Sequence, residues 1–103
     1  ERLRAAGVKV GVGTDGGTGI TFCGHLETEL VALRRYGYSN AEVLRMATLG
    51  NMEIVGWADL LGSLDVGKLA DMVLLRANPL DGVEAIGTVD AVFKGGRLCS
   101  GSL

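Results

Sequence analysis

A short valine-rich segment that leads directly into a glycine-rich loop constrains the fold of this chain more than any other feature. Residues 8–12 (VKVGV) alternate valine with small or polar residues, which is the period of a β-strand. Residues 13–19 (GTDGGTG) can form only a loop. Residues 1–7 are typical of the last turns of a helix that Gly7 ends. Helix, strand, loop and a further helix in this order predict an α/β unit with parallel strands.

Three helical segments are predicted after the loop. The first is amphipathic, because leucines recur at helical spacing at positions Leu26, Leu30 and Leu33. The second begins with a capping-box pattern, Ser39 and Glu42, and is expected to stop near Gly50. Asn51 would then cap one further short helix that ends at Gly56.

The remainder of the chain is typical of a small β unit. Its apolar stretches predict strands at residues 72–75, 91–94 and 97–99. The first of these is continuously apolar and is expected to be buried on both faces. Turns are predicted at residues 62–68, at Asn78-Pro79 and, closing a hairpin, at Gly95-Gly96.

Composition excludes several classes of partner. The net charge of -2 over 103 residues provides no clustered basic face for a nucleic acid. No apolar run approaches the roughly 20 residues that span a bilayer, so no membrane partner is expected. Cys23 and Cys99 lie far apart without zinc-finger spacing, so a reduced, cytoplasmic chain is expected, although a disulfide between them stays open.

The loop itself permits two functional interpretations. Gly11, Gly13 and Gly16 match G-x-G-x-x-G, but the third glycine does not open a helix, and Asp15 would place a carboxylate in a phosphate cradle. A nucleotide site is therefore disfavoured. Asp15 is either an ordinary Asp-Gly turn residue or a carboxylate at the carboxyl end of a parallel strand, where α/β barrels place their catalytic groups.

A collinear set of motifs resembles the amidohydrolase superfamily. Residues 6–15 resemble its last barrel strand, which ends in a similar Gly-Thr-Asp, and residues 37–48 resemble a following helix with its Ala-Thr ending. Residues 62–74 are similar to a Gly-Ser-Leu-x-x-Gly-Lys-x-Ala-Asp signature, and residues 92–97 resemble the closing strand pair. The resemblance covers essentially the whole chain, in order.

This resemblance implies an α/β fold that is the C-terminal part of a larger one. Residues 1–61 would supply the last strand of a (β/α)8 barrel and its trailing helices, and residues 62–103 the strands of a small β-sandwich. A complete barrel needs about 250 residues, so the rest of the barrel is an expected partner of this segment. The resemblance does not specify the oligomeric state, for which a homo-oligomer is expected.

The family's chemistry is hydrolysis of a carbon-nitrogen bond by a water that one or two divalent cations activate, with zinc expected. The resemblance assigns Asp15 to this centre, as a metal ligand and as the group that accepts the water's proton and passes it to the leaving nitrogen. The family's His-x-His pair is absent from this chain, in which His25 is the single histidine. Most ligands must come from elsewhere, and the segment alone is expected to be inactive.

The loop most resembles the Xaa-Pro dipeptidase-like and imidazolonepropionase-like branch, so a small-molecule or dipeptide-like substrate is implied. Some members have His-Gly where this chain has Cys23-Gly24, which leaves the substrate group open. His25 is either a substrate contact or an exposed histidine in the first turn of a helix. Cys23 could also join Asp15 and His25 in a metal site. Asp71 is interpreted as a turn-bonding carboxylate, and Lys68 as part of a solvated turn.

A rival hypothesis is a stand-alone binding or structural α/β module that lacks the activity. Such a module would be soluble and unfold cooperatively without metal. An enzyme segment would instead expose strand edges and apolar helix faces, and the isolated chain would aggregate or form tight oligomers. Thermal unfolding and sizing of the isolated chain distinguish the two hypotheses.

Overall fold

A computed structural model describes residues 2–17, 19 and 23–102. The helices are α1 (Arg2–Ala5), α2 (Leu26–Arg35), α3 (Asn40–Arg45), a π-helical turn (Met46–Gly50), α4 (Asn51–Val55) and a 3-10 helix (Val83–Gly87). The strands are β1 (Met72–Leu75), β2 (Val89–Lys94) and β3 (Arg97–Gly101). None of the helices in these ranges is long and apolar enough to cross a membrane.

Helix α2 confirms the prediction from leucine spacing. Leu30, in its centre, is buried, and acidic residues occupy the first turn while Arg34 and Arg35 occupy the last. This distribution of charge is favourable to the helix dipole. Gly7 has φ +67°, so the predicted left-handed end of the first helix is also confirmed.

The second helical segment does not stop at Gly50, and that prediction was wrong. Gly50 has φ -60° and ψ -43°, so α3, the π-helical turn and α4 form one continuous helix. A β-carbon at Gly50 would lie 3.0 Å from the carbonyl oxygen of Arg45, so the glycine accommodates the wide turn instead of ending the helix. The helix ends where predicted, at Gly56, whose φ is +80°. Asn51 therefore lies inside the helix and does not cap it.

The predicted capping box at the start of α3 is confirmed. The Ser39 hydroxyl accepts a hydrogen bond from the Glu42 main-chain N–H at 3.2 Å, and the Glu42 carboxylate accepts one from the Ser39 N–H at 2.6 Å. The latter bond is the main cause that lowers the pKa of Glu42 below the ordinary value of a glutamate, 4.5. Because the folded pKa is the lower one, the stability that the carboxylate contributes is present above about pH 4.5 and is lost as the pH falls.

We expect Ser39→Ala to lower the free energy of unfolding by about 1 kcal/mol, because the helix loses its N-cap acceptor. Urea unfolding of the natural gene product at neutral pH measures this change. Ser100→Ala, at an exposed position in β3, is the matched control and should change stability by only a few tenths of a kcal/mol. Equal effects of the two substitutions would contradict the capping assignment.

The three strands form an antiparallel sheet in the order β1-β2-β3. Gly95 and Gly96 have φ +56° and +79° and join β2 to β3, which confirms the predicted two-glycine hairpin. The prediction that β1 is buried on both faces was wrong, since Val73 and Leu74 are 55% and 45% exposed. Among the described residues β1 is an edge strand, and these two side chains are not covered by a second layer.

The core lies between the helices and the 3-10 helix. Leu30, Val43 and Val83 are almost fully buried, and Val12 and Ile86 pack against them. Residues on both sides of position 62 therefore share one apolar cluster. The division into residues 1–61 and 62–103 stays a prediction.

Candidate active site

The segment before the glycine-rich loop is fixed to α4 by side chains. Residues 8–12 pair with no strand among the residues the structure describes, so the strand predicted there forms no ladder. Instead, the Val12 main-chain N–H donates to Oδ1 of Asn51 at 2.8 Å, and Nδ2 of Asn51 donates to the Val12 carbonyl oxygen at 2.9 Å. Nζ of Lys9 also donates to Glu53 at 3.2 Å. The segment thus reaches the loop with its end held at Val12.

Asp15 lies three residues beyond this anchor and has an unusual backbone conformation. Its φ is +48°, the only positive value at a non-glycine position in the described part of the chain. Aspartate is one of the few residues that tolerate the left-handed region, and such outliers occur preferentially at functional sites. The residue is exposed. The geometry is consistent with a carboxylate presented to a reacting group, and it is equally the geometry of a turn.

The loop brings Cys23 against the glycines that follow Asp15. A β-carbon at Gly16 would lie 3.4 Å from the Cys23 Cα and 3.5 Å from its Sγ. A β-carbon at Gly17 would lie 3.7 Å from the same Sγ. Cys23 and Cys99 are both exposed free thiols, so the alternative of a disulfide between them is excluded in this structure.

His25 lies immediately before α2. Its Nδ1 is 2.9 Å from Oε1 of Glu27, and its carbonyl oxygen accepts hydrogen bonds from Thr28. The hydrogen bond with His25 is the main cause that lowers the pKa of Glu27. The His25 side chain is 56% exposed, as expected for a histidine at the start of a helix.

The alternative metal site of Asp15, Cys23 and His25 is not formed. In residues 2–17, 19 and 23–102 no three His, Cys, Asp or Glu side chains come together as metal ligands. Asp15 can supply one carboxylate oxygen ligand, but a zinc site needs three or four protein ligands. The residues described here therefore do not complete a metal centre.

Asp71 has the structural role predicted for it. Its carboxylate accepts hydrogen bonds from the Gly95 N–H at 2.8 Å and from the Lys94 ammonium, so it anchors the hairpin turn. The pKa of Asp71 is lowered, mainly by the hydrogen bond from Lys94 and secondly by that from Gly95.

Lys68 lies in the predicted turn, whose residues 64–67 are exposed. The Lys68 N–H closes a turn on the Asp65 carbonyl oxygen at 3.2 Å. Its side chain is only 15% exposed, because the ammonium folds back and donates to the Ser63 hydroxyl at 2.6 Å.

Asn51 was predicted to be a helix cap and not a functional candidate. The available signal was an asparagine in the interior of a helix, where it is a poor helix former unless its amide has another partner. That partner, Val12, is 39 positions away in the sequence, and no local pattern identifies it.

The chain belongs to the amidohydrolase family, whose sequence profile matches residues 1–99. This confirms the resemblance of its motifs.

Individual relatives show which members of the family the chain is similar to. It is 38% identical over 85 residues to a 5-methylthioadenosine/S-adenosylhomocysteine deaminase of Desulforudis audaxviator, covering 75% of this chain and 20% of that protein. It is 38% identical over 94 residues to a guanine deaminase of Escherichia coli, covering 84% of this chain and 21% of that protein.

Solved structures extend this similarity to the fold. A candidate prolidase from Bifidobacterium longum is 39% identical with a TM-score of 0.91, over 95% of this chain and 24% of that one. A Xaa-Pro dipeptidase with methionine bound in its active site is 31% identical with a TM-score of 0.89, over 97% of this chain and 24% of that one. The chain thus spans about a fifth of its curated relatives and about a quarter of these structures.

Proposed function

We propose that this chain is part of a metal-dependent hydrolase that cleaves a carbon-nitrogen bond, and that Asp15 is its catalytic carboxylate. The observation that carries the proposal is the left-handed conformation of Asp15 at the end of a segment anchored at Val12, in a chain of the amidohydrolase family. An anchored, exposed carboxylate can accept a proton from an attacking water and return it to the leaving nitrogen.

The proposal places residues 1–61 at the last strand and trailing helices of a (β/α)8 barrel, and residues 62–103 in the adjoining β-sandwich. Support comes from TM-scores of 0.91 and 0.89 with much longer proteins. Further support comes from exposed apolar side chains such as Val55 and Trp57, at 60% and 58% exposure, which the rest of a barrel would cover. We also propose that the complete protein is cytoplasmic and homo-oligomeric.

The divalent metal, zinc in this proposal and present as one or two ions, would lower the pKa of a bound water and polarise the scissile carbon. Asp15 would be one of its ligands. The remaining ligands would come from parts of the protein outside this chain, because the described residues contain no group of three His, Cys, Asp or Glu side chains that could hold a metal ion.

The proposed substrate is a small molecule, dipeptide-like or a cyclic amide. Support comes from the Xaa-Pro dipeptidase with bound methionine and from a prolidase bound to N-methylphosphonate-L-proline, which is 30% identical with a TM-score of 0.78. The deaminase relatives support a competing class of substrate, aminopurine derivatives. In this proposal His25 is the substrate contact contributed by the chain, since its exposed ring follows the Asp15 loop.

The test is metal analysis of the purified natural gene product, followed by a panel of Xaa-Pro dipeptides, cyclic amides and aminopurine nucleosides. We expect bound zinc and turnover of at least one panel member. Chelation should abolish that turnover and added Zn²⁺ should restore it, since the metal supplies the activated water. Hydrolysis that persists in the demetallated protein, or a natural gene product without a His-x-His pair after a strand, would contradict the proposal.

A further inference from the structure

We propose that Asn51 is a positioning residue for Asp15 and acts through the main chain of Val12. The inference rests on the proposed function, in which Asp15 accepts the proton.

The hydrogen bonds between Asn51 and Val12 take the place of those that a neighbouring strand would form with the main chain of Val12. The Asn51 side-chain amide accepts a hydrogen bond from the Val12 N–H at 2.8 Å and donates one to the Val12 carbonyl oxygen at 2.9 Å. Both main-chain polar groups of one residue are thereby satisfied by one side chain in a partly buried environment. Removal of the amide leaves two partly buried groups without this partner, so the contact resists local displacement.

The main chain is shaped to receive this amide. A β-carbon at Gly11 would lie 2.5 Å from Oδ1 of Asn51 and 3.0 Å from Cδ1 of Ile54. Any residue larger than glycine would therefore displace the Asn51 amide and the Ile54 side chain, or the segment itself. The absence of a side chain at Gly11 therefore permits the close approach of Asn51.

The π-helical turn determines where Asn51 points. The main-chain N–H of Asn51 bonds to the carbonyl oxygen of Met46, five residues earlier, so the helix is wider here than an α-helix. Residues after such a turn lie on a different face from the one an uninterrupted α-helix would give them. Asn51 and Ile54 consequently face Gly11 and Val12.

A short connection joins the anchored residue, Val12, to the Asp15 carboxylate. Only Gly13 and Thr14 separate Val12 from Asp15, and the Val12 side chain is also held by the core that contains Leu30 and Val43. Asp15 has a left-handed backbone, which lies in a small allowed region of φ/ψ space. A shift of Val12 therefore moves the Asp15 carboxylate, and misplacement of a catalytic group by about 1 Å can lower a rate by about 10².

The experiment compares Asn51→Ala with Asn40→Ala in the natural gene product. Asn40 is the matched control, because its amide also bridges the helix to a distant carbonyl, that of Leu80 at 2.8 Å, but away from Asp15. We expect Asn51→Ala to lower kcat and kcat/KM by the same factor, about 10- to 100-fold. Exchange of the Val12 amide hydrogen should be faster in this variant. Asn40→Ala should leave kcat unchanged.

A double-mutant cycle separates positioning from general destabilisation. If Asn51 acts through Asp15, Asn51→Ala should lower the residual kcat of Asp15→Asn no further. A drop of the same size in both backgrounds would overturn the proposal, as would an unchanged kcat in Asn51→Ala alone. Wild-type activity of Asp15→Asn would instead overturn the proposed function, so the two failures are distinguishable.

A second variant covers the case in which Asn51→Ala does not fold. Gly11→Ala disturbs the same contact from the other side, whereas Gly87→Ala adds a methyl group with nothing within 4 Å. Gly11→Ala should lower kcat and Gly87→Ala should not. Equal kcat values for the two glycine variants would overturn the proposal.

Discussion

Replacement of Asp15 by asparagine is expected to lower the hydrolytic rate of the natural gene product by about 10² to 10⁴, the usual scale of general acid-base catalysis. The amide has nearly the shape of the carboxylate but cannot take a proton from the attacking water. Asparagine also tolerates the left-handed conformation that residue 15 adopts, with φ +48°, so the backbone should be retained. Alanine would be a poorer test, because its effect would combine lost chemistry with backbone strain.

The measurement is kcat/KM on the substrate found in the panel, together with the metal content of each variant. Asp59→Asn is the control, since it removes the same charge from an exposed aspartate that is not part of the loop. Near-wild-type turnover by Asp15→Asn with metal still bound would remove Asp15 from the mechanism.

Gly62→Ala is expected to lower the free energy of unfolding by about 2–5 kcal/mol, the largest stability effect among these predictions. Gly62 has φ +94°, a conformation that costs an alanine about 1–2 kcal/mol. Its β-carbon would also lie 2.8 Å from the Leu49 Cα and 3.0 Å from the Leu49 nitrogen, both main-chain atoms of the π-helical turn. Because neither atom can rotate away, the backbone must move, at about 1–3 kcal/mol.

Gly67→Ala is the matched control for this prediction. Gly67 has nearly the same φ, +93°, but a β-carbon there would have nothing within 4 Å. Its replacement should cost only the conformational contribution, about 1–2 kcal/mol. Urea unfolding of both variants separates the two contributions, and equal losses of stability would show that the contact with Leu49 has no cost.

Features of the fold that depend on neighbouring residues were predicted from the sequence. The leucine spacing of α2, the capping box of Ser39 and Glu42 and the hairpin turn at Gly95-Gly96 are all confirmed. Each rests on contacts within a few positions of the chain, or on a backbone conformation that one residue type favours. Such signals do not depend on contacts with distant residues.

Predictions that needed a distant partner were the ones that were wrong. Gly50 is an ordinary helix-ending residue in the sequence, but here it lies in a wide turn whose following residue binds Val12. Val73 and Leu74 form an apolar run typical of a buried strand, yet they are exposed in this chain. Apolar patterning indicates a tendency to be buried, but it does not identify a group that would cover the strand.

The sequence by itself determined the family and the position of its candidate carboxylate, because motifs that resemble those of the family occur in the same order along the chain. It placed Asp15 at the end of a valine-rich segment, before a glycine-rich loop. Only the tertiary structure decided how that carboxylate is held, through a left-handed backbone at Asp15 and the hydrogen bonds of Asn51 to Val12. The physical reason is that a hydrogen bond between residues 39 positions apart is a property of packing, which no local pattern encodes.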